Sequence, residues 1–80
     1  MEPNEKIFIN VVFWKGILEF FVEVRKYKFE KKAKYQTSKR ISFSKINVSE
    51  ASQLIKELNL IKRETERYYI YENKIDILNQ

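Results

Sequence analysis

The sequence predicts an α+β fold in which antiparallel β-strands precede one amphipathic α-helix and a short C-terminal tail element. Two observations carry this prediction. The first half is rich in β-branched and aromatic residues, whereas from Val48 the apolar residues recur at a helical period. A third observation supports long elements with few tight turns, because the chain has one glycine and one proline.

The first predicted strand covers residues 6–14, and Lys15-Gly16 then suits a β-hairpin turn. Residues 17–32 are interpreted as a second strand, with Val22 and Val24 on the core face. Its opposite face then carries Phe21, Glu23, Arg25, Tyr27 and Phe29. A helix over the same residues, with an apolar stripe from Phe13 to Tyr27, is the alternative.

Residues 30–36 form a polar, lysine-rich connection that could hold a short strand around 31–35. The alternation over 38–44 predicts another strand. Here Ile41 and Phe43 share one face, and Arg40, Ser42 and Ser44 share the other.

Asn47 or Ser49 can cap the predicted helix, and Glu50 lies in its first turn. Its apolar stripe consists of Val48, Ala51, Leu54, Ile55, Leu58 and Ile61. A break is expected near residues 64–66, followed by a tail whose structure is ambiguous between strand and helix.

Eighty residues allow one domain, here 1–80, with a flexible start at 1–5, a core at about 7–60 and a tail at about 64–80. So small a chain, without cysteine, has little core of its own. We therefore expect a homodimer, with Val48, Leu54, Leu58 and Ile61 partly at the interface.

Composition excludes several chemistries. Without histidine or cysteine there is no Ser-His or Cys-His nucleophile, and zinc lacks its usual ligands. One glycine excludes the Walker loop and the dinucleotide fingerprint. There is no long apolar run, and the N-terminus, with Glu2 and Glu5, is unlike a signal peptide. We expect an intracellular binding protein, without membrane association, that is not an enzyme and uses no cofactor or metal.

The net charge of +5 is unevenly distributed. Between Arg25 and Lys45 there are nine basic residues and one acid, Glu30, whereas the remainder is acidic overall. Tyr27, Phe29, Tyr35 and Phe43 are interleaved with these bases. Basic residues neutralise phosphates and aromatic faces stack on unpaired bases, so the segment predicts a surface for single-stranded nucleic acid. A solvated basic hairpin tip is the alternative.

Three segments, in this order, resemble the single-stranded-DNA-binding domain family of the transcriptional coactivator positive cofactor four. They are Phe13-Trp14-Lys15-Gly16, the strand Phe21–Tyr27, and residues 37–44 with the helix that follows. The resemblance covers about residues 7–60. It implies a curved antiparallel sheet of about four strands followed by a helix, a homodimer, and single-stranded DNA in the concave faces.

On this resemblance Trp14 is a stacking platform, Lys15 and Lys39 contact phosphates, and Arg25 contacts a phosphate or base. Tyr27 and Phe29 are candidate stacking residues. The remaining candidate contacts are basic: Lys28, Lys31, Lys32, Lys34 and Arg40. For Trp14 and Tyr27, packing in the core is the alternative, and for Arg25 it is pairing with Glu23 or Glu19 on the sheet. Tyr68, Tyr69 and Tyr71 are interpreted as dimer or core packing, or otherwise as a further stacking surface.

The leading functional hypothesis is sequence-tolerant binding of single-stranded nucleic acid, DNA before RNA, in replication, recombination or transcription. A winged-helix regulator of duplex DNA is the first alternative, and it needs residues 17–32 to be helical. A small protein-interaction or inhibitor module is the second, with the basic face meeting an acidic partner.

Overall fold

The computed structural model describes residues 5–30 and 35–73. These residues form strands and one helix in the order β1 (Glu5–Trp14), β2 (Glu19–Glu30), β3 (Tyr35–Ile46), α1 (Val48–Glu57), β4 (Ile61–Glu64) and β5 (Tyr68–Glu72). The expected α+β class is confirmed, because a largely antiparallel sheet carries one short helix.

The sheet has five strands in the order β3-β2-β1-β5-β4, with antiparallel pairing throughout. The prediction of about four strands is therefore wrong. Three strands precede the helix, and the C-terminal segment adds two more after it, of which β5 pairs with β1, from Val11 opposite Tyr71 to Trp14 opposite Tyr68. As expected, regular structure is interrupted in this region: β4 ends at Glu64 and β5 begins at Tyr68. In the turn between them, the Thr65 hydroxyl and amide both donate to the Tyr68 carbonyl.

Residues 19–30 are a strand paired on both sides, so the helical alternative for 17–32 is wrong. The β1–β2 hairpin closes with a hydrogen bond from the Leu18 amide to the Trp14 carbonyl, 2.8 Å. Leu18, not Gly16, adopts the left-handed conformation, with φ of 55°. Its side chain is largely exposed, and positive φ is uncommon for a residue other than glycine.

The helix begins at a capping box, because Asn47 accepts from the Glu50 amide and Glu50 accepts from the Asn47 amide. It ends at Glu57, earlier than the predicted stripe. Asn59 turns the chain with φ of 53°, and Ile61 belongs to β4 rather than to the helix.

The strand register separates two faces of the sheet. One face carries the odd-numbered residues of β1, such as Val11, and the even-numbered residues of β2, such as Val22. We call it the helix face, because α1 packs on β1 and β2 and both Val11 and Ala51 of α1 are wholly buried. The other carries Asn10, Val12 and Glu23 and is open as a groove with no helical residue in its lining; we call it the groove face. The predicted separation of Val22 and Val24 from Glu23, Arg25 and Tyr27 is confirmed.

A register shift between Val24 and Arg25 changes the faces of β3. Val24 lies opposite Ser42, but Arg25 lies opposite Arg40, so Ile41 is the extra residue of a bulge. Simple alternation along the strand predicts that Arg40 and Phe43 lie on opposite faces of the sheet, and this prediction is wrong. The bulge places Arg40 on the same face as Phe43, and the Arg40 guanidinium carbon lies 4.2 Å from the Phe43 ring centroid.

Candidate nucleic-acid interface

The groove face holds a depression of about 340 Å³ that crosses all five strands. Its lining combines buried polar groups, half-exposed arginines and aromatic rings. The lining residues are Asn10, Val12, Trp14, Glu23, Arg25, Tyr27, Ser38, Arg40, Arg63, Tyr68, Ile70 and Glu72.

The floor of the groove is a row of buried polar side chains. Glu23 is 4% exposed and accepts hydrogen bonds from Asn10 Nδ2 (3.1 Å), Arg25 Nη1 (3.2 Å) and Arg40 Nε (2.9 Å). Burial acts to raise the pKa of the Glu23 carboxyl, but the hydrogen bonds from Asn10 and Arg40 and the charge of Arg25 together hold the pKa below its ordinary value. The carboxylate is thus the anchor for two arginines.

A second carboxylate anchors a third arginine at the other side of the groove. Arg63 Nε donates to Glu72 Oε2 at 2.6 Å, with Glu72 buried on β5 and Arg63 more than half exposed on the edge strand β4. Both acids lie under their partners. The groups that face solvent are therefore guanidinium groups, and the accessible surface of the groove is positive.

These bonds leave donors free for a ligand. A guanidinium carries five N–H groups in a planar fork that matches phosphate. The bonds to Glu23, Ser38 and Glu72 use one or two of them on each of Arg25, Arg40 and Arg63.

Aromatic rings follow the same face from one end to the other. Trp14 and Tyr68 lie 4.9 Å apart between centroids at one end, and Phe8 and Tyr27 lie 5.0 Å apart toward the other. Phe21 and Phe43 stack at 4.7 Å beside Arg40. Tyr27 is buried, whereas the other five rings are partly exposed. Of those five, Trp14 and Tyr68 line the groove, so this pair offers the ring surface that a ligand in the groove can reach.

The structure brings together four of the residues proposed from the sequence: Trp14, Arg25, Tyr27 and Arg40 all line the groove. Lys15, Lys28 and Lys39 do not line it. Lys15, in the hairpin turn, is bonded to Glu64 (2.6 Å), and its ammonium also lies over the Tyr69 ring.

Lys28 and Lys39 lie on the helix face, at the end beyond the helix. There they line a separate shallow cleft with Glu5, Lys26 and Thr37. Phe29 lies in β2 opposite Gln36, and Lys31, Lys32 and Lys34 lie outside the described residues. The basic segment is therefore divided between two faces of the sheet.

Sequence reasoning missed the contribution of the C-terminal hairpin to the groove. Arg63, Ile70 and Glu72 were not proposed, and Tyr68 was grouped with Tyr69 and Tyr71. The period of two would have separated them, because Tyr68 faces the groove whereas Tyr69 and Tyr71 pair with helix-face residues of β1.

Comparisons with protein-family models, with curated proteins and with solved structures find no match to this chain. Within residues 5–30 and 35–73, no helix is long and apolar enough to cross a membrane. The same residues contain no group of three or more acidic side chains placed to hold a metal ion.

Proposed function

We propose that this protein binds single-stranded nucleic acid, DNA in the first instance, along the groove face and with little dependence on sequence. The observation that carries the proposal is the coincidence of exposed guanidinium groups and aromatic rings in one groove that the helix leaves open. The resemblance of residues 7–60 to the positive cofactor four family supports the same function, in replication, recombination or transcription.

Each half of the lining supplies one component of binding. Arg25, Arg40 and Arg63 offer forked donors to phosphate oxygens, and this contribution falls as salt rises because bound counterions are released. Trp14 and Tyr68 offer a platform on which an unpaired base stacks. A duplex keeps its base faces inside the helix, so the aromatic component favours a single strand.

We also propose that the protein acts as a homodimer. Val48 and Leu58 are exposed by 65% and 38%, and Leu54 is partly exposed, on α1 and at its C-terminal end. Ile61 is 39% exposed but lies opposite Glu72, on the groove face, and so falls outside this surface. Association of two copies through the helix would enlarge a small core and leave both grooves free. No catalytic role is proposed.

The discriminating experiment is a titration of single-stranded and duplex oligonucleotides of equal length at one salt concentration. Tighter binding of the single strand supports the proposal, whereas equal or tighter duplex binding contradicts it. Failure to bind any oligonucleotide at moderate salt would instead favour an acidic protein partner for the basic surface. The winged-helix alternative needs residues 17–32 to be helical, and β2 over Glu19–Glu30 does not meet that requirement.

A further inference from the structure

A buried acceptor on the floor of the groove has no partner. Asn10 is 2% exposed, and its Oδ1 receives no hydrogen bond among the described residues. The orientation of the amide is fixed by its neighbour: Glu23 accepts from two arginines as well, so the Asn10 amino group must face it. Oδ1 is consequently the atom left without a donor, although buried acceptors are nearly always satisfied.

A second acceptor lies beside it. The β1–β5 register pairs Val11 with Tyr71, and one further step along both strands places Asn10 opposite Glu72 on the groove face. Glu72 is 5% exposed and is bonded by Arg63 from the edge strand. Asn10 thus lies between two glutamates: Glu23 on β2, which accepts from Nδ2, and Glu72 on β5. The floor therefore presents two adjacent acceptor groups and lacks a donor for one of them.

We propose that Asn10 and Glu72 form a subsite for a guanine base, and that the groove prefers a strand with guanine at this position. The inference rests on the proposed function. Guanine alone among the bases has two neighbouring donors, N1–H and N2–H₂, on its Watson–Crick edge. Adenine, cytosine and thymine each place an acceptor next to their donor, and that acceptor would face the Glu72 carboxylate.

The charged groups above the floor complete the subsite. Guanine O6 is an acceptor beside N1–H, and guanidinium donors suit it. Arg63 is the most exposed of the three arginines in the groove, with 54% of its side chain accessible. When guanine binds, the Arg63 guanidinium moves from Glu72 to guanine O6, so it exchanges a carboxylate acceptor for a carbonyl acceptor. This movement exposes the Glu72 carboxylate and Asn10 Oδ1 to the base.

The test uses the full chain and oligothymidine of about ten nucleotides with one central substitution. Binding is compared for thymine, adenine, cytosine, guanine and hypoxanthine, which is guanine without its N2 amino group. We expect guanine to bind at least about fivefold more tightly than thymine, and hypoxanthine to lose most of that gain. Because only the oligonucleotide changes, protein stability does not enter.

Protein variants locate the preference. Glu72→Gln should reduce the ratio of guanine to thymine affinity. Both affinities are measured on the same variant, so a change in the anchoring of Arg63 that alters the binding of every oligonucleotide does not change the ratio. Glu64→Gln, which removes a carboxylate on the helix face, should leave the ratio unchanged. A thermal melt of each variant confirms that it is folded.

The outcomes separate this inference from the proposed function. Binding of oligothymidine with no preference for guanine overturns the subsite and leaves the proposed function standing. A preference that hypoxanthine fully retains, or that folded Glu72→Gln keeps, also overturns the assignment to these two residues. Absence of binding to every oligonucleotide overturns both.

Discussion

Replacing Glu23 with glutamine should lower stability and raise affinity for single strands, a combination that follows from its position under two arginines. The substitution preserves shape but removes the negative charge. The amide that replaces one carboxylate oxygen is a donor, so it opposes Asn10 or the guanidinium groups of Arg25 and Arg40 rather than accepting from them.

The loss of stability can be estimated from the exposure of the partners. A hydrogen bond to a charged group contributes about 1.5–3 kcal/mol when buried. The side chains of Arg25 and Arg40 are 28% and 49% exposed, so both rehydrate in part when the carboxylate is lost. We therefore expect a decrease of about 2 kcal/mol in the free energy of unfolding, which lowers the Tm of a chain of this size by about 8–16 °C.

The gain in affinity can be bounded in the same way. One negative charge about 8 Å from a bound phosphate costs about 0.5 kcal/mol at the dielectric constant of water and about 2 kcal/mol at the effective dielectric constant of about 20 near a protein surface. Glu23 is buried, so its removal should tighten single-strand binding at least about twofold at low salt.

Thermal unfolding by circular dichroism and fluorescence anisotropy with a labelled oligonucleotide measure the two effects. Glu19→Gln is the matched control, because Glu19 lies on the same strand and face but forms an exposed pair with Lys45. It should change stability by less than about 1 kcal/mol. If both variants melt together, or if folded Glu23→Gln binds more weakly than the parent, the anchoring role given to Glu23 is refuted.

The remaining predictions concern pH, stacking, register and assembly. Because the pKa of Glu23 is lowered in the folded state, its stabilisation is present above the ordinary carboxyl value of 4.5 and is lost as pH falls through the lowered pKa; acid titration of Glu23→Gln should show a shallower loss than the parent. Trp14→Ala should weaken single-strand binding by about 1–3 kcal/mol with an unchanged salt slope, whereas Arg25→Ala should reduce the slope by about 0.7; a slope that falls in the first variant would mean that Trp14 acts through the arginines. Val24→Asp should unfold the chain, seen as loss of the thermal transition, because it places an unpaired charge on the helix face, and folded protein with lost binding would indicate that the faces are exchanged. Light scattering at tens of micromolar should give the mass of a dimer, and Val48→Glu should give that of a monomer, whereas a monomeric parent would contradict the dimer.

Local patterns were sufficient for the elements of the first fifty residues. The alternation of Phe21, Glu23, Arg25 and Tyr27 with Val22 and Val24 identified which side chains share a face of β2, because the period of a strand is a property of its own backbone. The sequence also predicted where the helix starts, with Asn47 or Ser49 as its cap and Glu50 in its first turn, and the structure selects Asn47, which forms a capping box with Glu50.

Only the tertiary structure decided how the candidate site is assembled. The sequence contains strand-like residues at 68–72, but the choice of β1 as their partner depends on long-range packing, and it is this choice that brings Tyr68 and Glu72 beside Trp14 and Asn10. The bulge at Ile41 also has no local signal, yet it turns Arg40 toward Phe43 and Glu23. Strand period is encoded residue by residue, whereas partner choice and bulges are set by the fit of distant segments, and the groove depends on both.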